Sequence, residues 1–111
     1  MEAIIIINDN NMWYTIGKKN DFCNGDKWLV EADGRPIGLF RYDNKFYAIK
    51  NSCLHQGFPL NEGKLCNYMI ECSLHGWVYD VRDGKCISLV NRRTKVYKER
   101  ETEDYIEIFV E

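Results

Sequence analysis

The chain has 111 residues, 45% of them hydrophobic and 29% charged, with a formal net charge of −2. That length suffices for one domain with a modest core and is too short for a second catalytic unit. No basic face dominates, which argues against nucleic acid as a partner.

At the start lies the longest apolar run, Ala3 to Ile7. It falls far short of the roughly 20 residues needed to cross a membrane. Glu2 before it and Asn8 to Asn11 after it fit neither a secretory nor a twin-arginine signal, so the expected location is cytoplasmic. An isoleucine-rich strand left open would be sticky, so this run is expected to pair or fold back. Trp28, Val30 and Ala32 then alternate with Lys27 and Glu31, and Asp33-Gly34 marks a hairpin turn into Ile37–Phe40. Asp43-Asn44 turns the chain into Phe46–Ile49, and Tyr68–Ile70 reads as a further strand. Val78-Tyr79 leads to a turn at Asp83-Gly84. Lys95–Tyr97 and Ile106–Ile108 are expected to pair across a turn near Thr102–Asp104. Many short strands without a strong helix signal predict an all-β sandwich or barrel. Trp13, Trp28, Phe40, Phe46 and Tyr47 are the expected core aromatics. Arg92–Lys95 reads as a solvated strand face and Glu99–Asp104 as a solvated acidic turn, with charge steering of a partner as a second use.

The chemistry sits in two short segments, Cys53-Leu54-His55 and Cys72-Ser73-Leu74-His75, separated by residues 56–71. Two thiolates and two imidazoles can close one metal site, of zinc or of iron and sulfur. Zinc modules favour Cys–Cys and His–His pairs, whereas each pair here mixes the two types. A Cys–His catalytic dyad would leave the duplicate pair unexplained.

The first segment continues Gln56-Gly57-Phe58-Pro59-Leu60-Asn61-Glu62-Gly63, and the second continues Gly76-Trp77-Val78-Tyr79-Asp80. Together they resemble the two cluster-binding loops of the Rieske family in ligands, flanking glycines, Leu60 and the aromatic–Asp pair. The resemblance implies a Rieske-like antiparallel β-sandwich, a single domain over residues 1–111, with a small cluster-binding subdomain at about residues 51–86. It implies one Rieske-type 2Fe-2S cluster, with Cys53 and Cys72 on one iron and His55 and His75 on the other. Gly57, Pro59, Gly76, Trp77 and Tyr79 would surround it, with Gly57, Gly63 and Gly76 giving the loops their freedom. Phe58, Leu74 and Trp77 stand where high-potential members carry loop cysteines and a serine, so a low-potential centre is expected. Tyr79 matches a tyrosine whose hydroxyl reaches a ligand cysteine. Two departures from the family are Ser73, where proline is common, and Ser88–Asn91, a covering segment without proline. The first predicts a slightly looser second loop; the second bears on how the cluster is covered and reached by solvent.

The implied function is that of a soluble electron carrier, not itself an enzyme. It would be a Rieske-type ferredoxin passing single electrons from a reductase to a terminal oxygenase or other oxidoreductase. The alternatives are a small Rieske subunit of a multisubunit oxidoreductase, similar to nitrite reductase small subunits, and a zinc-stabilised interaction module. Cys23, Cys66 and Cys86 are expected to be small buried hydrophobes, with a Cys66–Cys86 bridge as the other option.

Overall fold

The computed structural model describes residues 12–110; the Ala3–Ile7 run lies outside the described residues. Ten strands follow in order: β1 Met12–Lys18, β2 Lys27–Ala32, β3 Arg35–Tyr42, β4 Lys45–Lys50, β5 Lys64–Cys66, β6 Met69–Glu71, β7 Val78–Asp80, β8 Val96–Tyr97, β9 Glu99–Glu101 and β10 Tyr105–Val110. They form three antiparallel sheets, β1-β10-β9, β2-β3-β4-β8 and β5-β6-β7. Among the described residues no helix is long and apolar enough to cross a membrane.

The turns form for local reasons. Asp33 and Gly34, at φ 53° and 71°, join β2 to β3, and Asp43 and Asn44, at 54° and 61°, join β3 to β4. Both central residues of each turn are left-handed, which matches the twist of the flanking strands. Asn44 tolerates this without being glycine because its N–H donates to Asn24 Oδ1 at 2.9 Å.

β3 holds the molecule together because both of its faces are covered. Residues Ile37–Phe40 are consecutively buried, the pattern of a strand without a solvent face. Ile37 and Leu39 join Phe46, Ala48, Ile106, Ile108 and Val110 in one core. On the opposite face Phe40 joins Ile49, Leu60, Ile70, Tyr79 and Val81 in a second. The first core glues two sheets together; the second seats the β5-β6-β7 sheet and its loops. Asn51 ties β4 to the first loop, its Nδ2 donating to Asn61 Oδ1 and its Oδ1 accepting the Asn61 N–H, both at 2.7 Å.

Three expectations are corrected. Val96-Tyr97 pairs with β4, Tyr97 opposite Ala48 and Val96 opposite Ile49, while β10 takes Glu99–Glu101 as its neighbour. Tyr97 is buried in the first core. Glu99–Glu101 is therefore a strand, and Glu99 is half-buried. Among the aromatics Phe40 and Phe46 are fully buried, Trp28 and Tyr47 pack at the core margins, and Trp13 is half-buried. Trp13 lies against Phe109 at 5.1 Å with the Arg100 guanidinium 4.1 Å above it. Of the remaining cysteines only Cys86 is buried; Cys23 and Cys66 are exposed. They sit beside turns at Gly25 and Asn67, where a small side chain faces water. All five thiols are free, so Cys66 and Cys86 are not bridged.

Candidate metal centre

The two ligand loops are built to one plan. In the first, the Cys53 N–H donates to Phe58 O at 2.9 Å and the Gly57 N–H to Cys53 O at 2.7 Å. In the second, the Cys72 N–H donates to Trp77 O at 2.7 Å and the Gly76 N–H to Cys72 O at 3.0 Å. Gly57 and Gly76 reverse the chain at φ +72° and +74°, a backbone state that costs any other residue more. Gly63 differs from expectation, with φ at −80°. Its need is space: a Cβ there would lie 2.1 Å from Glu71 O, because the first loop passes directly over the strand that launches the second.

The donors are sorted by chemistry. Cys53 and Cys72 are 3% and 1% exposed, whereas His55 and His75 face solvent. The two imidazoles stand edge to face, centroids 4.4 Å apart, and His55 also meets Trp77 at 4.7 Å. At the dry end the Tyr79 hydroxyl accepts the Leu54 N–H at 2.7 Å and lies 3.3 Å from Cys53 Sγ. Once the Cys53 sulfur carries negative charge it can only accept, and the Tyr79 hydroxyl is then the donor of that contact. Burial pushes the Cys53 thiol up, but the Tyr79 hydroxyl, the His55 N–H, the Cys72 thiol and the Gln56 N–H together outweigh it, leaving the net shift downward. Burial wins at Cys72, which is raised although the Leu74 and His75 N–H groups oppose it. Burial and the neighbouring Cys53 also raise Tyr79. Negative charge on the sulfurs is thus met by four backbone N–H groups and one hydroxyl.

The surrounding residues pack this arrangement. Pro59 opens the short 3-10 turn Leu60–Glu62 and delivers Leu60 to the second core. Trp77 and Leu89 pack against that core, and Ser88 Oγ accepts the Val78 N–H at 3.0 Å. The Ser88–Asn91 segment is thus anchored on the second core and on β7, without proline. Ser73, expected only to loosen the second loop, donates its hydroxyl to Glu62 O at 2.9 Å and ties the loops together. Asn51 and Ser73 are the two contributors that sequence reasoning missed; neither carries a local signal, since each bonds across 10 or 11 residues.

The donor set can be tested against the metal it would suit. A single zinc ion needs three or four protein donors converging on one point. Among the described residues no three His, Cys, Asp or Glu side chains do so. Two thiols together and two imidazoles together suit two metal ions, each with two protein ligands and the remaining positions filled by inorganic sulfide.

An antiparallel all-β frame that brings two thiols and two imidazoles together on matched loops has the form of an iron–sulfur protein. Residues 12–99 match the model of the Rieske [2Fe-2S] domain, so the chain belongs to that family, whose members bind a 2Fe-2S cluster. It is 28% identical over 100 residues to the anthranilate 1,2-dioxygenase ferredoxin subunit of Burkholderia cepacia, covering 88% of this chain and 92% of that one. It is 33% identical over 82 residues to the terminal oxygenase component CarAa of carbazole 1,9a-dioxygenase from a Sphingomonas species. That match covers 72% of this chain but spans only 22% of the oxygenase component. Among solved structures, the complex of reduced oxygenase and oxidized ferredoxin in carbazole 1,9a-dioxygenase contains a chain matching with a TM-score of 0.80 at 26% identity, over 86% of this chain and 91% of that one.

Proposed function

We propose that the chain is a single-electron carrier of the Rieske ferredoxin type. It takes electrons from a reductase and hands them to a terminal oxygenase or comparable oxidoreductase, and it works in the cytoplasm. One observation carries this reading: the thiols are buried while the two imidazoles face solvent side by side. Cys53 and Cys72 would hold one iron, and His55 and His75 the other. The cluster, when bound, supplies a one-electron couple at a potential above that of all-cysteine sites, because imidazole is neutral where thiolate is charged. The chain's own residues do the rest. The backbone N–H groups of His55, Gln56, Leu74 and His75 offset the sulfur charge. Tyr79 adds its hydroxyl, and Trp77 and Leu89 limit water access. Exposed Leu54 and Leu74 beside the histidines suit brief docking, for which electron-transfer encounters use less than about 1,200 Å².

Residues 51–86 act as the cluster-binding subdomain of a single domain. Phe58, Leu74 and Trp77 offer no hydroxyl or bridging thiol, which supports a potential low in the Rieske range. The likeness to a ferredoxin subunit over 92% of its length, and to a chain in a ferredoxin–oxygenase complex, supports the oxygenase as the kind of acceptor. The experiment is electron paramagnetic resonance of the dithionite-reduced protein with iron and acid-labile sulfide analysis. Equimolar iron and sulfide with a Rieske-type signal is expected; zinc without sulfide would overturn the reading. His75→Ala should abolish the stable cluster and leave the β1-β10-β9 sheet folded.

A further inference from the structure

We propose that the flank formed by residues 85–95 is a docking surface for an acidic face of a protein redox partner. The inference rests on the electron-carrier reading and adds the side and the sign of the contact. Although the chain is net −2, Lys85, Arg92, Arg93 and Lys95 are all exposed on this one strip. The topology adds two cations from elsewhere. Arg35 and Lys50, at the ends of β3 and β4, share a cleft of about 250 Å³ with Lys95 and Tyr97. Lys85, Arg92 and Arg93 line another of about 440 Å³ with Asn91. Backbone bonds hold the strip in place, Lys50 N–H to Lys95 O at 2.9 Å and Thr94 N–H to Gly84 O at 2.8 Å, and Lys85 bridges to Arg93. Among the described residues none of these six cations forms an ion pair; the pairs lie at Arg82–Asp80, Lys19–Glu101 and Arg100–Glu107. The Asp83 carboxylate accepts the Lys85 backbone N–H at 2.9 Å.

One end of the strip is tied to the strand that leaves the second loop. Ile87 N–H donates to Val78 O at 2.7 Å, which lays residues 85–88 along β7, the strand that leaves the second ligand loop. Next to the cations, Val90 is 86% and Ile87 55% exposed. An apolar patch rimmed by charge is the anatomy of a transient protein interface. On the other side of the tip Glu62 and Glu71 are exposed with Lys64, so a partner with carboxylates facing the 85–95 strip would dock in one orientation. A compact acidic protein can meet one flank alone. A nucleic acid rod would also meet the net negative charge of the remaining surface.

The test uses the iron-loaded chain, its cluster checked by visible absorbance, and an Arg92→Glu/Arg93→Glu variant. The control reverses two exposed lysines elsewhere, Lys18→Glu/Lys45→Glu. Two probes are applied. The first is binding to immobilised poly-L-glutamate at low salt, which involves no electron transfer. The second is stopped-flow oxidation of the reduced protein by hexacyanoferrate(III), one electron passing to each anion. The proposal predicts that the unmodified chain binds poly-L-glutamate and loses this binding with salt. The strip variant should bind about tenfold more weakly and react roughly fivefold more slowly at low ionic strength, and the control should do neither. Equal binding by strip variant and control would overturn the proposal, as would tighter binding of the unmodified chain to a DNA duplex than to poly-L-glutamate. A chain that holds no iron and sulfide fails the electron-carrier reading instead, before either probe is applied.

Discussion

Tyr79→Phe separates two roles that one hydroxyl plays. The ring is completely buried, so phenylalanine keeps the packing and water cannot take the oxygen's place. Two contacts disappear, the acceptor for the Leu54 N–H at 2.7 Å and the bond to Cys53 Sγ at 3.3 Å. Leaving the part-buried Leu54 N–H without its acceptor costs toward the lower end of about 1–3 kcal/mol, and the longer bond to sulfur adds a smaller share. A combined loss of about 2 kcal/mol corresponds to roughly 8 °C in the apparent melting midpoint of a domain near this size. The second role is electrostatic. The hydroxyl is one of the groups that pull the Cys53 thiol below its ordinary pKa, so it favours negative charge at that sulfur. If about 1 kcal/mol of this preference is added on reduction, the one-electron potential of the variant falls by roughly 40 mV, given about 59 mV per tenfold change. Thermal loss of visible absorbance and a redox titration read the two roles separately. A lower melting midpoint with an unchanged potential would refute the electrostatic role and leave Tyr79 as a backbone acceptor only.

Gly63→Ala places a methyl group against the Glu71 carbonyl, with the ideal Cβ 2.1 Å from its oxygen. Backbone must move, at a cost of about 3 kcal/mol, and iron content per chain should fall; native iron content would contradict the packing argument. Asn51→Ala breaks the reciprocal pair with Asn61. It should cost about 2 kcal/mol, seen as a lower denaturant midpoint and faster exchange of the Asn61 amide. The Arg82 guanidinium holds the Asp80 carboxyl below its usual range. Because the folded pKa is the lower one, this stabilisation is complete above the unfolded carboxylate value of about 3.9 and drains away as pH falls through the folded value. Asp80→Asn should therefore flatten the acid limb of a melting-midpoint-against-pH curve; an unchanged limb would mean the pair adds nothing to folding.

The parts of the molecule legible in the sequence are those whose cause is local. Each ligand loop carries its cysteine, histidine and left-handed glycine within a few residues, and the two hairpin turns announce themselves by Asp33-Gly34 and Asp43-Asn44. Pairing is a different matter. Alternation marks Val96-Tyr97 as a strand but does not say that β4 has an open edge beside it and β10 does not. That edge is created by residues far back in the chain. Free cysteines are misread for a similar reason: Cys23 and Cys66 resemble Cys86 in composition, and only the path of the chain puts them beside turns.

The same distinction governs the charged surface. Arg92-Arg93-Thr94-Lys95 is an ordinary solvated segment when read alone, and the structure agrees for each residue taken singly, with Thr94 the only one buried. The antiparallel return of β3 and β4 then delivers Arg35 and Lys50 to the same side as Lys95, and the bridge to Arg93 adds Lys85 to the row. Six cations from four separate stretches of sequence become one surface, while the carboxylates that balance them are placed mainly elsewhere. At about 10 Å screening length in 0.1 M salt, charges spread along the chain would cancel for an approaching partner, whereas charges sorted onto one flank would not. On the proposed docking mode, a nearly neutral protein would thereby guide an acidic partner to the histidine tip.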